Sequence, residues 1–341
     1  MKARILRRTD ALIAAGVVPA GRRRAVERVA RRFAVALTPH VVELVEAGGD
    51  PIARQFVPSA AELRATPKER ADPIGDERFS PLKGIVHRYP DRVLLKPLLV
   101  CPVYCRFCFR RETVGKGGAL TARELAAALA YIRHNPAIWE VIVTGGDPFL
   151  LSPRRLRAIV RALDAIPHVQ VMRLHTRVPI VEPSRVTPAL VASLAAEKAV
   201  YVAIHANHPR ELTAITRAAC ARLVKAGIPL LGQSVLLKGV NDDAATLEAL
   251  LRGLVALRIK PYYLHHVDLA RGTGHFRTTL AHGRNLMRAL RGRVSGLCQP
   301  TYVLDLPGGH GKVPVGPCYA RALGGGSWEI EDPVGKRHRY P

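Results

Sequence analysis

The stretch Arg92-Val-Leu-Leu-Lys-Pro-Leu-Leu-Val-Cys101-Pro-Val-Tyr-Cys105-Arg-Phe-Cys108 joins an apolar run to three closely spaced cysteines. The apolar run predicts a buried β-strand over 92–100. The N-terminus carries no apolar segment of the kind found in secretory signals, so we expect a cytoplasmic protein with reduced thiols. Free cysteines this close together are typical ligands of a metal or an iron–sulfur cluster. The stretch therefore predicts a thiolate site at the end of a strand.

Two kinds of site suit the C-x3-C-x2-C spacing. A structural zinc site is normally closed by a fourth ligand, but no second C-x2-C or H-x3-H pair follows nearby. A four-iron, four-sulfur (4Fe–4S) cluster on three thiolates keeps one iron free for a small molecule. The spacing, with Tyr104 before the second cysteine, resembles the signature of radical S-adenosylmethionine (SAM) enzymes. That resemblance implies a 4Fe–4S cluster on Cys101, Cys105 and Cys108, with a zinc knuckle as the alternative.

Composition limits the class of protein. The 341 residues are 48% hydrophobic, which is ample for a core, and no run of eighteen apolar residues predicts a membrane span. The net charge of +25 has two interpretations, affinity for RNA or an acidic protein, or a solvated arginine-rich surface. We favour the solvated surface because no basic stretch is interleaved with aromatic residues. We expect Cys220, Cys298 and Cys318 to be small buried hydrophobes.

The pattern of apolar residues divides the chain into three parts. Residues 1–85 read as a helical lead-in, with one helix ending near Phe33, another starting at Thr38-Pro39, and a proline-rich connector over 49–85. Residues 86–310 alternate strands with helices. We expect helices over 121–133, from 153, and over 187–197, 209–226, 242–257 and 276–291, between strands over 92–100, 141–143, 169–176, 200–206, 228–237 and 259–267, with an extended stretch at 299–306. Residues 311–341 read as a loop and tail.

Six strand–helix units predict a parallel α/β sheet with right-handed crossovers. A complete (β/α)8 barrel needs two more units, so we expect an open, crescent-shaped partial (β/α)6 barrel with an N-terminal helical segment.

Polar residues follow every predicted strand. In barrels of this kind the carboxyl ends of the strands surround the functional site, so six polar ends in succession predict one cavity. Gly145-Gly146 also permits close approach of a ligand to the backbone and resembles the motif that binds the SAM amine. The strand-end residues are Cys101, Cys105, Cys108, Thr144, Gly145, Gly146, Asp147, His175, Thr176, Arg177, His205, Asn207, Gln233, Ser234, His265, His266 and Asp268.

A second informative stretch is Asp305-Leu-Pro-Gly-Gly-His-Gly-Lys312-Val-Pro314. It is not a phosphate-binding P-loop, because Leu306 stands where a glycine is required and Val313 where a serine or threonine is. We expect Lys312 on a glycine-rich turn that can reach a cavity, where a desolvated amine can form a Schiff base with a carbonyl such as pyridoxal phosphate (PLP). A solvated loop lysine is the alternative.

Together these motifs are similar to the lysine 2,3-aminomutase family from about residue 80 to 335. The motifs are the three cysteines with the arginines that follow them, Gly145-Gly-Asp147, His87-Arg-Tyr-Pro-Asp-Arg92, Gln233-Ser-Val-Leu-Leu237, Pro261-Tyr-Tyr263, Gly274-His-Phe-Arg277 and Pro307-Gly-Gly-His-Gly-Lys312.

The resemblance implies a radical SAM isomerase that moves the α-amino group of L-lysine to Cβ, with a 4Fe–4S cluster, SAM and PLP as cofactors. It implies PLP on Lys312 beside Arg88, Tyr89 and Arg92, and SAM near Thr144, Gly145, Gly146, Asp147, His205 and Gln233. It further implies that Arg110 binds the substrate carboxylate and that Asp268 and Asp305 bind its ε-ammonium.

The resemblance leaves several points open. The chain ends at Pro341, soon after Lys312, and we expect it to lack the cysteine-containing, zinc-binding extension of longer members, so a homo-oligomer is one option. Short members make β-lysine for elongation factor P, which is an alternative role. A 2,3-aminomutase for glutamate or arginine, and a non-enzymatic RNA-associated protein, are further alternatives. We expect an electron-donor protein as partner, and neither membrane nor nucleic acid.

Overall fold

The computed structural model describes residues 5–46 and 50–341 and is built around one nine-stranded sheet. The strands lie side by side in chain order. The two edge strands run antiparallel to their neighbours, and the seven between them are parallel. They are β1 (Ile85–Tyr89), β2 (Arg92–Leu98), β3 (Glu140–Gly145), β4 (Val171–Thr176), β5 (Ala199–His205), β6 (Leu230–Leu236), β7 (Ile259–His266), β8 (Thr301–Leu306) and β9 (Gly311–Pro314).

The sheet curls until its two edges nearly meet. The Tyr89 hydroxyl on β1 accepts a hydrogen bond from the backbone N–H of Lys312 on β9, at 2.8 Å. Between these edges, a Cβ on Gly75 would lie 2.9 Å from the backbone of Gly308. The predicted α/β partial barrel is confirmed. It is closer to closure than the open crescent we expected, because β1 and β9 were not recognised as strands.

The helices outside the sheet begin where capping residues dictate. Thr121 and Glu124 form the predicted capping box at the first of them, since each side chain accepts a hydrogen bond from the other's backbone. The helices that accompany the sheet are α5 (Ala122–Arg133), α6 (Pro153–Asp164), α7 (Val178–Val181), α8 (Pro188–Ala192), α9 (Ala214–Lys225), α10 (Ala244–Ala256) and α11 (Leu280–Leu290), numbered after four N-terminal helices.

Three of these helices are shorter than predicted by five residues or more. α8 stops at Ala192, where the Ser193 hydroxyl donates to the carbonyl of Leu190. α9 and α11 start later than expected because the side chains of Thr213 and Thr279 each cap a helix N-terminus from inside the apolar pattern. Apolar periodicity does not reveal which of several candidate caps is used.

The N-terminal helices are α1 (Thr9–Ala14), α2 (Arg23–Arg32), α3 (Pro39–Leu44) and α4 (Pro51–Phe56). Thr38 caps α3 as predicted, accepting from the N–H of Val41. The expected connector starts at Gly49, which lies outside the described residues, as do residues 1–4 of the lead-in. The rest of the connector contains α4, which was not predicted.

The C-terminal residues form a second, small sheet rather than a loop and tail. Strands β10 (Ala320–Gly324), β11 (Ser327–Glu331) and β12 (Arg337–Tyr340) pair antiparallel, and an ion pair from Arg288 on α11 to Glu331 joins this sheet to the barrel. The sequences of β10 and β12 lack the apolar alternation that predicts strands, and the alternating Ser-Trp-Glu-Ile-Glu of β11 was not recognised.

Cys220 and Cys298 are buried as expected, but Cys318, which precedes this small sheet, is exposed. None of the helices in residues 5–46 and 50–341 is long and apolar enough to cross a bilayer.

Candidate active site

The cysteine loop follows β2 at the carboxyl end of the barrel. Cys101, Cys105 and Cys108 are free and line one cavity of about 40 Å³. Burial raises the pKa of the Cys101 thiol well above its usual value and that of Cys108 to about 11. The three thiols lie close enough together that Cys105 and Cys108 add to the rise in the pKa of Cys101. Three thiolates are a donor set that suits iron and sulfide, and binding them has to release protons. The residues therefore fit a three-thiolate cluster site.

A buried carboxylate from the lead-in holds this loop. Glu62 accepts from Arg106 Nε at 3.0 Å and from the Arg111 guanidinium, and it also caps the Ser59 N–H at 2.7 Å. Burial alone would raise the pKa of Glu62, but Arg106 and Arg111 hold it below its usual value. Sequence reasoning missed Glu62, because nothing in a proline-rich connector marks one acid as the partner of two arginines located about 45 residues later.

The Gly145-Gly146 pair is explained by neighbouring backbone. Gly145 has φ +105°, a conformation that favours glycine. A Cβ on Gly146 would lie 2.2 Å from the carbonyl oxygen of Val100, the residue before Cys101. The N–H of Gly146 also bonds Leu98 O at 2.8 Å. These glycines thus let β3 pass directly under the start of the cysteine loop.

Alanine at position 146 is expected to destabilise the protein by about 1–3 kcal/mol, the usual cost of overpacking. The denaturant midpoint should fall relative to wild type, and the variant should retain less iron after reconstitution. Gly118→Ala is the matched control, since a Cβ there meets nothing within 4 Å. Equal midpoints for the two variants would contradict this explanation of the glycine pair.

Asp147 does not have the role we expected. Its carboxylate is 4% exposed and accepts from Thr176 Oγ1 and Arg177 N at 2.7 Å each, from Phe149 N at 3.0 Å and from Val178 N at 3.2 Å. Because four donors occupy both oxygens, the side chain has no capacity left for SAM. Asp147 instead ties β3 to the start of α7.

The neutral imidazoles of the site lie at the carboxyl ends of β4 and β5. Burial drives the pKa values of His175 and His205 well below the usual value, and Arg173 and Arg177 respectively add to the effect. His175 Nε2 is buried without a hydrogen-bond partner, so it is free to contact a ligand. His205 Nε2 lies 3.2 Å from Asn207 Oδ1, and its ring is 5.6 Å from that of Phe107 in the cysteine loop. Thr144 is buried, and Gln233 is half-buried.

Lys312 lies on β9 and not on a mobile turn. It is paired with Asp305 of β8, and its backbone is held on the other side by Tyr89. Its Nζ forms an ion pair with Asp305 and lies 3.2 Å from His265 Nδ1. Burial alone would raise the pKa of Asp305, but the hydrogen bond from His265 and the charge of Lys312 hold it well below the usual value. The lysine is therefore fixed in place and only partly exposed.

Asp268 connects Lys312 with the end of the cysteine loop. One of its oxygens is buried without a partner. Burial and the nearby Asp305 raise the pKa of Asp268 to about 7, while the charges of Lys312 and Arg110 oppose this rise. Because both cations act on this one carboxyl, Lys312 and Arg110, two residues after Cys108, both lie near Asp268.

A second cluster of charges lies beside this cavity. Arg110 Nε donates to Asp76 Oδ2 at 2.7 Å, and the Arg88 guanidinium lies 3.4 Å from the other oxygen of Asp76. Burial alone would raise the pKa of Asp76, but Arg110, Lys96 and Arg88 hold it below the usual value. Three cations around one carboxylate leave an excess of positive charge, which suits a carboxylate or phosphate ligand. Asp76 was not predicted from the sequence.

Arg92 is placed differently from Arg88. Its guanidinium lies 3.9 Å over the Tyr89 ring and donates to the adjacent Asp91 at 2.6 Å. It sits at the start of β2, opposite the end that carries the cysteines. The structure thus links Arg92 to Lys312 through Tyr89, whereas Arg88 contacts Asp76.

Comparison with known proteins agrees with this geometry. Residues 95–250 match the model of the radical SAM superfamily, and residues 287–325 match a model described as lysine-2,3-aminomutase. The chain is 43% identical over 297 residues to the L-lysine 2,3-aminomutase of Acetoanaerobium sticklandii and 40% identical to that of Clostridium subterminale, covering 86% of this chain and 72% and 71% of the relatives. It is 36% identical over 302 residues to the glutamate 2,3-aminomutase of Clostridioides difficile, covering 88% of this chain and 71% of that one.

The barrel and its three-cysteine loop are those of a radical SAM enzyme. Within that superfamily the chain belongs to the lysine 2,3-aminomutase family, whose named members are isomerases.

Proposed function

We propose that this protein moves the α-amino group of L-lysine to Cβ and so forms β-lysine. The supporting observation is that Asp268, which has an unpartnered buried oxygen, lies close enough to both Lys312 and Arg110 for their charges to act on its carboxyl. The relatives named L-lysine 2,3-aminomutase support the same reaction.

The residues present fit all three cofactors of the family. Three buried thiols would hold the cluster, and the backbone around Gly145 and the unpartnered Nε2 of His175 would contact SAM. Lys312 would bind PLP covalently, with Arg88 and Tyr89 beside it. When bound, the cluster and SAM supply hydrogen abstraction, and PLP supplies a conjugated carbonyl for the migrating nitrogen.

The protein's own groups bind and orient the substrate. Lys312 occupies Asp305 in this structure. With Lys312 covalently bound to PLP, Asp305 would lose this ammonium partner, and the substrate ε-ammonium could take its place. Asp268 offers its unpartnered oxygen to the same ammonium. Arg110 keeps its two terminal nitrogens for the substrate carboxylate, because its Nε is bound to Asp76.

The negative charges of Asp268 and Asp305 favour lysine over the alternative substrates. Two carboxylates around one position attract an ammonium and repel an acidic side chain. Glutamate remains the second candidate because one relative is named for it. Arginine and a role in elongation factor P modification are further alternatives. The proposal also includes an electron-donor protein as partner, a cytoplasmic location and assembly into a homo-oligomer.

The direct test is anaerobic reconstitution with iron, sulfide, PLP, SAM, a low-potential one-electron reductant and one amino acid at a time. We expect β-lysine from lysine and no β-amino acid from glutamate or arginine. Turnover of glutamate at a comparable rate would overturn the roles of Asp268 and Asp305. A purified protein without absorbance near 400 nm after reconstitution would favour a non-enzymatic role.

Replacing Arg110 with alanine is expected to weaken lysine binding by roughly 1.5–3 kcal/mol, the scale of a hydrogen bond to a charged group. KM should therefore rise about tenfold to a hundredfold. Arg110→Lys should recover little of this loss, because an ammonium cannot form the two-pronged contact. Arg123→Ala, at an exposed position on α5, serves as the control. Unchanged lysine affinity in Arg110→Ala would refute the assignment.

A further inference from the structure

A buried arginine lies directly against one of the three cysteines. Arg177 Nη1 donates to Cys105 Sγ at 2.8 Å, and Arg177 is 6% exposed. In residues 5–46 and 50–341, no other side chain donates a hydrogen bond to a sulfur of the cysteine loop. The thiols were predicted from the sequence, whereas Arg177 was noted there only as one of several polar strand ends.

The position of this guanidinium is tightly defined. Arg177 Nη2 donates to Gln55 Oε1 at 2.6 Å and to Glu211 Oε1 at 2.7 Å. The backbone N–H of Arg177 donates to Asp147. Its Cζ lies 4.5 Å from the Phe56 ring centroid. The guanidinium of Arg177 is therefore held against Cys105 by groups from three segments. They are Gln55 in the lead-in, Asp147 after β3 and Glu211 after β5.

The counter-charge of Arg177 is equally well fixed. Glu211 is 1% exposed, and its second oxygen accepts from the N–H groups of Asn207 and His208 at 2.7 Å each. Glu211 thus pairs with Arg177 without contacting a cysteine itself. The Arg177 cation therefore contacts the Cys105 sulfur, and the Glu211 anion contacts Arg177.

This arrangement has an electrical consequence for a cluster on Cys105. Charges interact strongly when water is excluded, and hydrogen bonds to cluster sulfurs and local charge set the potential of iron–sulfur centres. When an external low-potential donor gives one electron to the 4Fe–4S cluster, the cluster passes from its 2+ to its 1+ state and gains one negative charge. A cation at a ligand sulfur stabilises that reduced state more than the oxidised one.

We propose that Arg177 raises the reduction potential of the cluster, and that Glu211 limits this rise. The inference rests on the proposed function, because it requires a cluster on Cys101, Cys105 and Cys108. Arg177 is a positioning residue here, since it acts through Cys105 and touches no reacting atom.

The test is a redox titration of the reconstituted protein without substrate, followed by the EPR signal of the reduced cluster. In Arg177→Gln we expect reduction to become at least tenfold less favourable, a shift of about 59 mV to more negative potential for a one-electron couple. In Glu211→Gln the shift should have the opposite sign. Arg185→Gln is the control, because Arg185 donates only to the carbonyls of Phe149 and Leu150 and should leave the potential unchanged.

Opposite signs distinguish an electrical role from a structural one, since loosening the loop would move both variants alike. Equal potentials in wild type and Arg177→Gln, or shifts of the same sign in both variants, would overturn the inference. If Arg177→Gln binds no cluster, Glu211→Gln decides, and an unchanged potential there rejects the proposal. Failure of the wild type to bind iron and sulfide would instead overturn the proposed function, and the inference with it.

Discussion

Replacing Lys312 with alanine is expected to reduce turnover by about 10³-fold or more, because a positioned reactive side chain typically contributes about 10²–10⁴-fold. Lys312 has the geometry for this role, since β8, Tyr89 and the Asp305 ion pair hold its amine in the cavity. The measurement is β-lysine formation under saturating PLP. In the wild type, borohydride reduction and peptide mass spectrometry should locate the cofactor on Lys312.

The controls separate covalent attachment from charge. Lys312→Arg keeps a cation beside Asp305 but cannot attach the cofactor, so it should be as inactive as alanine and yet fold as stably as wild type. Lys225→Ala, on the exposed side of α9, should retain full activity. Substantial activity in Lys312→Arg, or cofactor fixed to another lysine, would show that Lys312 only supplies charge.

Asp268→Asn is expected to weaken lysine binding by roughly 2–5 kcal/mol, the usual cost of removing one partner of a buried charge pair. The wild type should also show a distinct pH dependence. Burial and Asp305 raise the pKa of Asp268 to about 7. The carboxyl is neutral below that pH and ionised above it, whereas the substrate ammonium stays charged throughout. KM for lysine should therefore rise as the pH falls below 7.

In the Asp268→Asn variant this acid limb should disappear, because the amide does not titrate. Asp164→Asn is a suitable control, since Asp164 at the end of α6 accepts only from the backbone of residues 197 and 198. A wild-type KM that is constant between pH 6 and 8 would mean that Asp268 does not bind the substrate ammonium.

Several features of the site could be predicted because they are local in the sequence. The three cysteines lie within eight residues, so their common cavity follows from a short loop. Caps such as Thr121 and Thr38 act on the next turn of the same chain, and both were confirmed. Alternating strands and helices likewise predicted the parallel sheet.

Other features depend on residues far apart in the chain. Glu62, Asp76 and Arg177 each join segments separated by more than thirty residues, and their sequence surroundings look like ordinary polar chain. The change in the expected role of Asp147 has the same origin, because its donors come from the start of α7 rather than from a ligand.

The order of residues was enough to predict the class of sheet and the thiolate loop, while the role of Lys312 stays a prediction. Only the tertiary structure decided that Lys312 lies on a strand, that the glycine pair accommodates Val100, and that buried carboxylates hold Arg106, Arg110 and Arg111 in place. The physical reason is that a buried ion pair forms wherever folding brings opposite charges together out of water, and spacing along the chain does not encode that meeting.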